Sequence, residues 1–171
     1  MGGGVESGFQ FLAYKVDTLQ LDVAKDFRSL SFTGTLGPEQ VELSVAFRLP
    51  LRLTAERAYV GGLELVVSVF WSADHSESNR IAQAKAGIAG LFKVVGPDIT
   101  PEMEKSLATI QIPAILMPYG RTALTSVFAT SGLPGIILPL INVQELARNA
   151  GDQIQIREMQ PPTEEAAPAL R

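Results

Sequence analysis

From Val41 to Ala55 the sequence reads VELSVAFRLPLRLTA, and every second side chain of this stretch is apolar. Successive side chains of a β-strand point to opposite faces of a sheet, so this period of two predicts a strand with one apolar face and one mostly polar face. Pro50 lies on the polar side and has no backbone N–H to donate. We therefore expect an edge position or a bulge at this residue.

Three other segments repeat the pattern, namely Phe9 to Val23, Leu63 to Trp71 and Ile81 to Val95. In the first of them Lys15 and Asp17 interrupt the alternation, which predicts a bulge or a bend between these two residues. Consecutive strands joined by polar turns are typical of antiparallel sheets. The pattern thus predicts a four-stranded antiparallel meander with one face towards solvent and the other towards a core.

The period changes after the four strands. Thr100 followed by Pro101 resembles the start of a helix, with threonine as the N-cap. A main helix is predicted from about Ala114 to Ser131, with Gly132 as its C-terminal cap. An almost wholly apolar loop follows, and the capping pattern that begins at Asn142 predicts a short second helix.

These elements predict an α+β fold, in which a four-stranded antiparallel sheet is followed by a long helix, an apolar loop and a short C-terminal helix. We expect one domain over residues 9–151, because a chain of 171 residues suits a single core. Residues 1–8 are rich in glycine, and residues 152–171 contain several prolines and glutamates. These compositions predict a disordered N-terminus and a flexible, mildly acidic tail.

The composition argues against several classes of function. A net charge of −4 and a pI near 5.0 do not suit a nucleic-acid-binding surface. Cysteine is absent, which excludes disulfides and thiolate metal sites. No apolar run reaches the ~18 residues of a membrane span, and no signal peptide is visible. We therefore expect a cytoplasmic protein that does not insert into membranes.

Residues suited to catalysis or metal binding are equally scarce. The single histidine, His75, lies in a polar turn near Asp74 and Glu77, where solvated side chains are the simplest interpretation. Glu102 and Glu104 are two positions apart and so do not face each other on a helix. The sequence therefore predicts a protein that is not an enzyme and that holds no metal and no cofactor.

Apolar residues exceed the needs of a core in two places. The first is the loop from Leu133 to Ile141, in which two prolines and a glycine prevent a regular helix or a central strand, so that some side chains should face a groove. The second is the small-residue face formed by Ala82, Ala84 and Ala86, which would let a second subunit approach closely. Tight packing of a helix on the sheet within one chain is the alternative explanation of this alanine face.

The second half of the chain resembles a known family. The run Pro118-Tyr119-Gly120-Arg121-Thr122-Ala123-Leu124-Thr125-Ser126-Val127 resembles the start of the long helix in SecB, the protein-export chaperone, where that family carries Pro-Tyr-Ala-Arg. Gly132-Leu133-Pro134 and Leu138-Pro139-Leu140-Ile141-Asn142-Val143 are similar to the helix break and the apolar loop that follow there. Ala86 to Gly96 is similar to a strand of the family, and the resemblance spans roughly residues 9–151.

This resemblance implies a homotetramer, built as a dimer of dimers, that binds unfolded polypeptides without ATP and hands them to the translocase motor SecA. It implies client-binding residues in the loop, namely Leu133, Ile136, Ile137, Leu138, Leu140 and Ile141. It implies an oligomer interface that includes Ala82, Ala84, Ala86 and Tyr119, and a motor-docking surface that includes Asp17, Asp22 and Lys85.

The chain departs from the family at the motor-docking surface. SecA docks on an acidic sheet surface in that family, whereas Lys85 stands where an acidic residue is expected and Gln83 where an apolar one is expected. Three functions therefore stay open: a general holdase for preproteins, a SecB-like chaperone dedicated to one client such as an antitoxin, and a carrier of a small apolar ligand in a cavity between sheet and helix.

Overall fold

All four alternating segments form β-strands in the computed structural model of the chain, which describes residues 8–24, 36–133, 136–151 and 156–159. The strands are β1 (Phe9–Val23), β2 (Val41–Leu53), β3 (Ala58–Phe70) and β4 (Arg80–Val94). The main difference from the prediction is at β3, which begins five residues before Leu63. The predicted disordered N-terminus lies outside the described residues except for Gly8.

The order of the strands corrects the predicted meander. In the sheet the order is β1-β4-β3-β2-β5, so β1 pairs with β4 and not with β2. Phe9 and Phe11 of β1 lie beside Phe92 of β4, with ring centroids 5.3 and 5.2 Å apart. Aromatic pairs at this separation contribute beyond the area they bury.

A fifth strand, β5 (Arg157–Met159), makes the sheet mixed. It pairs in parallel with residues Leu51 to Leu53 of β2. This strand lies within the segment for which the sequence predicts a flexible tail, and residues 152–155 and 160–171 of that segment lie outside the described part of the chain. Because β5 is short, it covers only one end of the outer edge of β2.

The predicted irregularities occur where the sequence places them. The register of β1 against β4 shifts between Val16 and Thr18, at the bend expected beside Asp17, and shifts once more between Phe11 and Ala13. The register of β2 against β3 shifts between Arg48 and Leu51, which places Pro50 in a bulge. The missing N–H of this proline therefore costs no regular ladder hydrogen bond.

One long helix, α1 (Pro101–Thr130), follows the strands. The prediction of a main helix starting near Ala114 was wrong, because α1 continues unbroken from its N-cap at Thr100, whose side-chain oxygen accepts a hydrogen bond from the N–H of Met103 at 3.3 Å. Pro113 and Pro118 lie inside the helix. Burial of apolar side chains along its whole length outweighs the two lost backbone hydrogen bonds.

The end of α1 follows the predicted cap. Gly132 has a φ of +84°, and the N–H of Leu133 donates to the carbonyl of Phe128 at 3.0 Å. This pair of features is the Schellman type of helix end, in which glycine takes the left-handed conformation. The second helix is α2 (Val143–Gly151), and its cap at Asn142 accepts a hydrogen bond from the N–H of Glu145 at 3.1 Å.

The core lies between α1 and the inner face of the sheet. Gly120 allows the helix to approach β3 closely, since a Cβ at this position would lie 2.6 Å from Leu65 Cδ1. The alanine face belongs to this core: Ala82, Ala84 and Ala86 are at most 1% exposed within the single chain. Their predicted role in an oligomer interface is therefore wrong. Small side chains there admit the chain's own helix, as the alternative explanation held.

A buried acidic group attaches the first turn of α1 to the sheet. Glu104 is 3% exposed, and it accepts hydrogen bonds from Arg57 Nε at 2.9 Å and from the Tyr59 hydroxyl at 2.8 Å, while Arg52 lies 3.3 Å away. Burial by itself would raise the pKa of Glu104, but the hydrogen bonds from Arg57 and Tyr59 outweigh it, and the pKa lies below its usual value. Burial together with the neighbouring carboxylate raises the pKa of Tyr59 to about 12.

Candidate functional site

A groove runs between the inner face of β2 and the segment that leads into α2. We call it the β2 groove, and its volume is about 460 Å³. Its lining residues are Leu43, Val45, Leu140, Ile141, Asn142, Glu145, Leu146 and Asn149. Its apolar lining comes from β2, from the end of the loop and from Leu146 of α2, and its polar lining comes from Asn142 and α2. The groove is open to solvent on one side.

The apolar loop is held against α1 by one guanidinium group. Arg121 donates from Nη2 to the carbonyl of Leu138 at 2.7 Å and from Nη1 to the carbonyl of Pro139 at 2.6 Å. Two side chains anchor the same loop in the core, because Leu133 is 1% exposed and Leu138 is 5% exposed. A loop fixed at these points cannot turn all of its remaining apolar side chains inward.

Two loop side chains consequently stand in solvent. Ile137 is 75% exposed and Leu140 is 95% exposed. An exposed leucine is ordinary on a flexible surface, but here the exposed side chains sit on a backbone that Arg121 holds in place. The loop therefore presents apolar surface from a fixed position beside the β2 groove.

The six predicted client-binding residues separate into three groups. Leu133 and Leu138 are corrected: they are buried in the core, because the loop must be anchored on both sides of its exposed part. Ile136 is partly buried and packs against the core. Ile137, Leu140 and Ile141 are accessible, and the last two line the β2 groove. The intervening residues 134 and 135 lie outside the described part of the chain.

The sequence did not identify the residues that complete the groove. Leu43 and Val45 belong to the alternating stretch and were predicted as ordinary core residues, but α1 leaves them only partly covered. Leu146 was missed as well. It is exposed on α2, whereas its neighbour Ala147 is fully buried and attaches this helix to the core. The periodicity of α2 could have indicated that its apolar side faces a groove.

The outer face of the sheet holds the residues predicted to dock the motor, and two of these residues, Asp17 and Lys85, form ion pairs. Arg48 of β2 reaches across β3 and β4 to Asp17 of β1, with Arg48 Nη2 3.0 Å from Asp17 Oδ1. The hydrogen bond from Arg48 lowers the pKa of Asp17. Lys85 Nζ lies 2.8 Å from Glu64 Oε1. Lys85 is therefore paired with a carboxylate of the neighbouring strand β3.

The two remaining predicted residues, Asp22 of β1 and Tyr119 of α1, lie near the β1 edge of the sheet. Asp22 is exposed and pairs in register with Gln83. Tyr119, predicted for the oligomer interface, packs against Tyr14 with ring centroids 4.1 Å apart. Four large apolar side chains of β1 remain roughly half exposed beside it: Leu12, Tyr14, Val16 and Leu19. Tyr14, Val16 and Leu19 of this row lie on the same face of the sheet as the β2 groove, but at the opposite edge of the sheet. The row is therefore a second apolar surface, separate from the groove.

The polar turn between β3 and β4 has a structural role. His75 takes a φ of +50°, its Nε2 lies 2.7 Å from the carbonyl of Glu39, and its ring stacks on Phe70. Among the described residues, histidines and acidic residues form no group of three or more that could hold a metal ion. The helices in the described part of the chain also include none that is long and apolar enough to cross a membrane.

Comparison with solved structures gives a likeness in fold. A SecB-like chaperone of Mycobacterium tuberculosis, solved in complex with a ChAD peptide from the HigA1 antitoxin, matches 78% of this chain and 91% of its own, with a TM-score of 0.57 and 17% identity. The chain has a SecB-like fold. The expected α+β architecture is thereby confirmed, with one additional strand.

Other comparisons add little to this result. A Streptococcus agalactiae protein of unknown function covers 77% of this chain with a TM-score of 0.39 and 12% identity, a likeness too low to support an argument. No family model matches the sequence, and no curated protein matches it. The likeness to the SecB-like chaperone is at the level of the fold.

Proposed function

We propose that this protein is a holdase chaperone that binds extended apolar segments of unfolded polypeptides in the β2 groove. The observation that carries the proposal is the position of Ile137 and Leu140, which are exposed although Arg121 holds the loop backbone that bears them. Covering an aliphatic side chain contributes ~1.5–3 kcal/mol. Two such side chains offer roughly 3–6 kcal/mol, less the cost of ordering a flexible client. Binding of this strength is reversible, as a holdase requires.

The shape of the groove favours a polymer over a small ligand. A carrier of small apolar molecules encloses most of the surface of its ligand. The β2 groove is open to solvent on one side, and the exposed loop side chains extend the apolar surface beyond it. An open apolar surface with polar rims suits scattered apolar side chains on an extended chain.

Two narrower roles were open for this site, and the proposal includes only one of them. A chaperone dedicated to an antitoxin is supported by the fold, since the similar SecB-like chaperone was solved with a peptide from an antitoxin. The proposal does not extend to handover to SecA. Asp17 and Lys85 are already paired with Arg48 and Glu64 across the outer face, which leaves them less available to a charged partner.

We also propose that the apolar row on β1 is covered by further copies of the chain, in a homotetramer. β1 is a 15-residue strand at the edge of the sheet, and long edge strands with exposed apolar side chains seldom remain uncovered. Light scattering at micromolar concentration should give about four times the chain mass of 18.4 kDa. A monomer over the whole concentration range would contradict this part of the proposal.

The holdase activity is tested by removing the exposed loop side chains. The double variant Ile137→Ser with Leu140→Ser should keep the thermal midpoint and the particle mass, because both side chains lie in solvent. It should lose most of the capacity to prevent aggregation of a chemically unfolded test protein. The matched control is Val95→Ser with Met103→Ser, which removes two exposed apolar side chains elsewhere. Equal loss in both variants, or none in the first, would refute the assignment of the site.

A further inference from the structure

Within the described part of the chain, only one end of the outer edge of β2 is paired with another strand. On one side β2 pairs with β3 from Val41 to Leu53. On the other side, within the described part of the chain, pairing is limited to residues Leu51 to Leu53, which β5 covers. The edge from Val41 to Phe47 has no strand partner among the described residues, so the described part of the chain leaves its outward N–H and C=O groups without backbone partners.

This free edge borders the β2 groove. Leu43 and Val45 point from β2 into the groove, whereas Ser44 and Ala46 lie on the other face, towards the solvent. A strand added beside them would alternate in the same way. Every second side chain would enter the groove towards Leu140, and the others would face water.

We propose, on the basis of the function proposed above, that the client segment binds as an additional β-strand along Val41–Phe47. β5 is the observation that supports this mode, because a segment of the chain itself already extends the sheet at the same edge. Backbone hydrogen bonds then supply affinity that does not depend on client sequence, and the groove selects for apolar side chains at every second position. The occupant is therefore an extended polypeptide with alternating apolar and polar residues.

The length of the edge sets the length of the recognised segment. The stretch from Val41 to Phe47 spans about 20 Å at the rise of a β-strand. Its partner has the same number of residues, of which three or four direct their side chains towards Leu43, Val45 and Leu140. Such a motif is short and common in unfolded chains. Its presence in many proteins suits a chaperone with many clients, and its presence in one segment suffices for a chaperone with a single client.

Backbone N-methylation distinguishes strand addition from simple apolar contact. The probe is a fluorescent ten-residue peptide of alternating leucine and serine with a lysine at each end. Two variants carry N-methyl groups on all leucines or on all serines, so that side chains and charge are nearly the same. In a strand, the N–H groups of alternate residues point to the same side, and only one side faces β2. One variant should bind at least tenfold more weakly than the other.

The outcomes of this titration are distinct. Equal affinities of the two methylated peptides would overturn strand addition. The holdase proposal would still stand if Leu140→Ser weakens the binding of all three peptides. If the unmodified peptide does not bind and unfolded proteins are not protected, the holdase proposal and this inference both fail. A fall in particle mass on peptide saturation would assign the edge to a second copy of the chain, and would also overturn the inference.

Discussion

Removal of the Arg121 guanidinium should release the apolar loop without unfolding the protein. Arg121 donates to two consecutive carbonyls, those of Leu138 and Pro139, at 2.7 and 2.6 Å. A hydrogen bond from a charged donor contributes ~1.5–3 kcal/mol, and ordering the arginine side chain costs up to about 2 kcal/mol. Two such hydrogen bonds contribute about 3–6 kcal/mol, so the net contribution to holding the loop is about 1–4 kcal/mol.

Amide hydrogen exchange measures this contribution directly. In Arg121→Ala the population of the open loop should rise roughly 5- to 700-fold, since every 1.4 kcal/mol is a factor of ten. The effect should be largest at the N–H groups of Val143, Glu145 and Leu146, whose hydrogen bonds close the segment between the loop and α2. Exchange in the central strands should change little.

A conservative variant serves as the control. Arg121→Lys keeps the charge but can make only one of the two hydrogen bonds, so its exchange rates should lie between those of the parent and the alanine variant. Affinity for an unfolded client should fall in the same order, because the exposed side chains lose their fixed position. Unchanged exchange at Val143 and Leu146 in Arg121→Ala would refute the view that this arginine positions the loop.

Two further substitutions test the ion pairs of the sheet. Glu104→Gln should lower the free energy of unfolding by about 3 kcal/mol in urea titrations, because it leaves arginines without a buried partner. The parent should also lose stability at acid pH, because the pKa of Glu104 in the folded protein lies below its usual value. Glu104 therefore stabilises the fold above that usual value and ceases to do so as the pH falls through the folded pKa. A flat acid profile would contradict this. Lys85→Glu should destabilise the fold by about 0.5–1 kcal/mol more than Lys93→Glu, since only Lys85 faces Glu64; equal effects would show that the pair contributes nothing.

The alternation of the sequence predicted the strands but not their order. Apolar residues at every second position mark a face, and this information is local. Pairing of β1 with β4 depends on contacts such as that of Phe9 with Phe92, which are far apart in the chain. The start of α1 was mispredicted for the same reason, because the local sequence does not show which contacts with the rest of the chain a helix will make. Pro113 was a reason to begin the main helix after it, yet burial of Ile112 and Leu116 keeps the helix continuous.

The candidate site was only partly predictable for a related reason. The prolines of the loop indicated that some apolar side chains would remain outside, but they could not show that Leu133 and Leu138 are the buried ones. Leu43 and Val45 repeat the pattern of every other core residue of β2. They line a groove because α1 crosses β3 and β4 and leaves this end of β2 uncovered, which is a property of packing rather than of the local sequence.

The central claim is that unfolded chains contact the β2 groove, and site-specific photocrosslinking tests it most directly. A photoreactive amino acid at position 140 replaces a side chain that is almost fully exposed, so the fold should tolerate it. The same group at position 103, which is exposed but remote from the groove, is the control. With a chemically unfolded protein, crosslinks should form at position 140 and should be rare at position 103. With the same protein in its folded state, neither position should react. Equal yields at the two positions, or no crosslinks at position 140, would contradict the account.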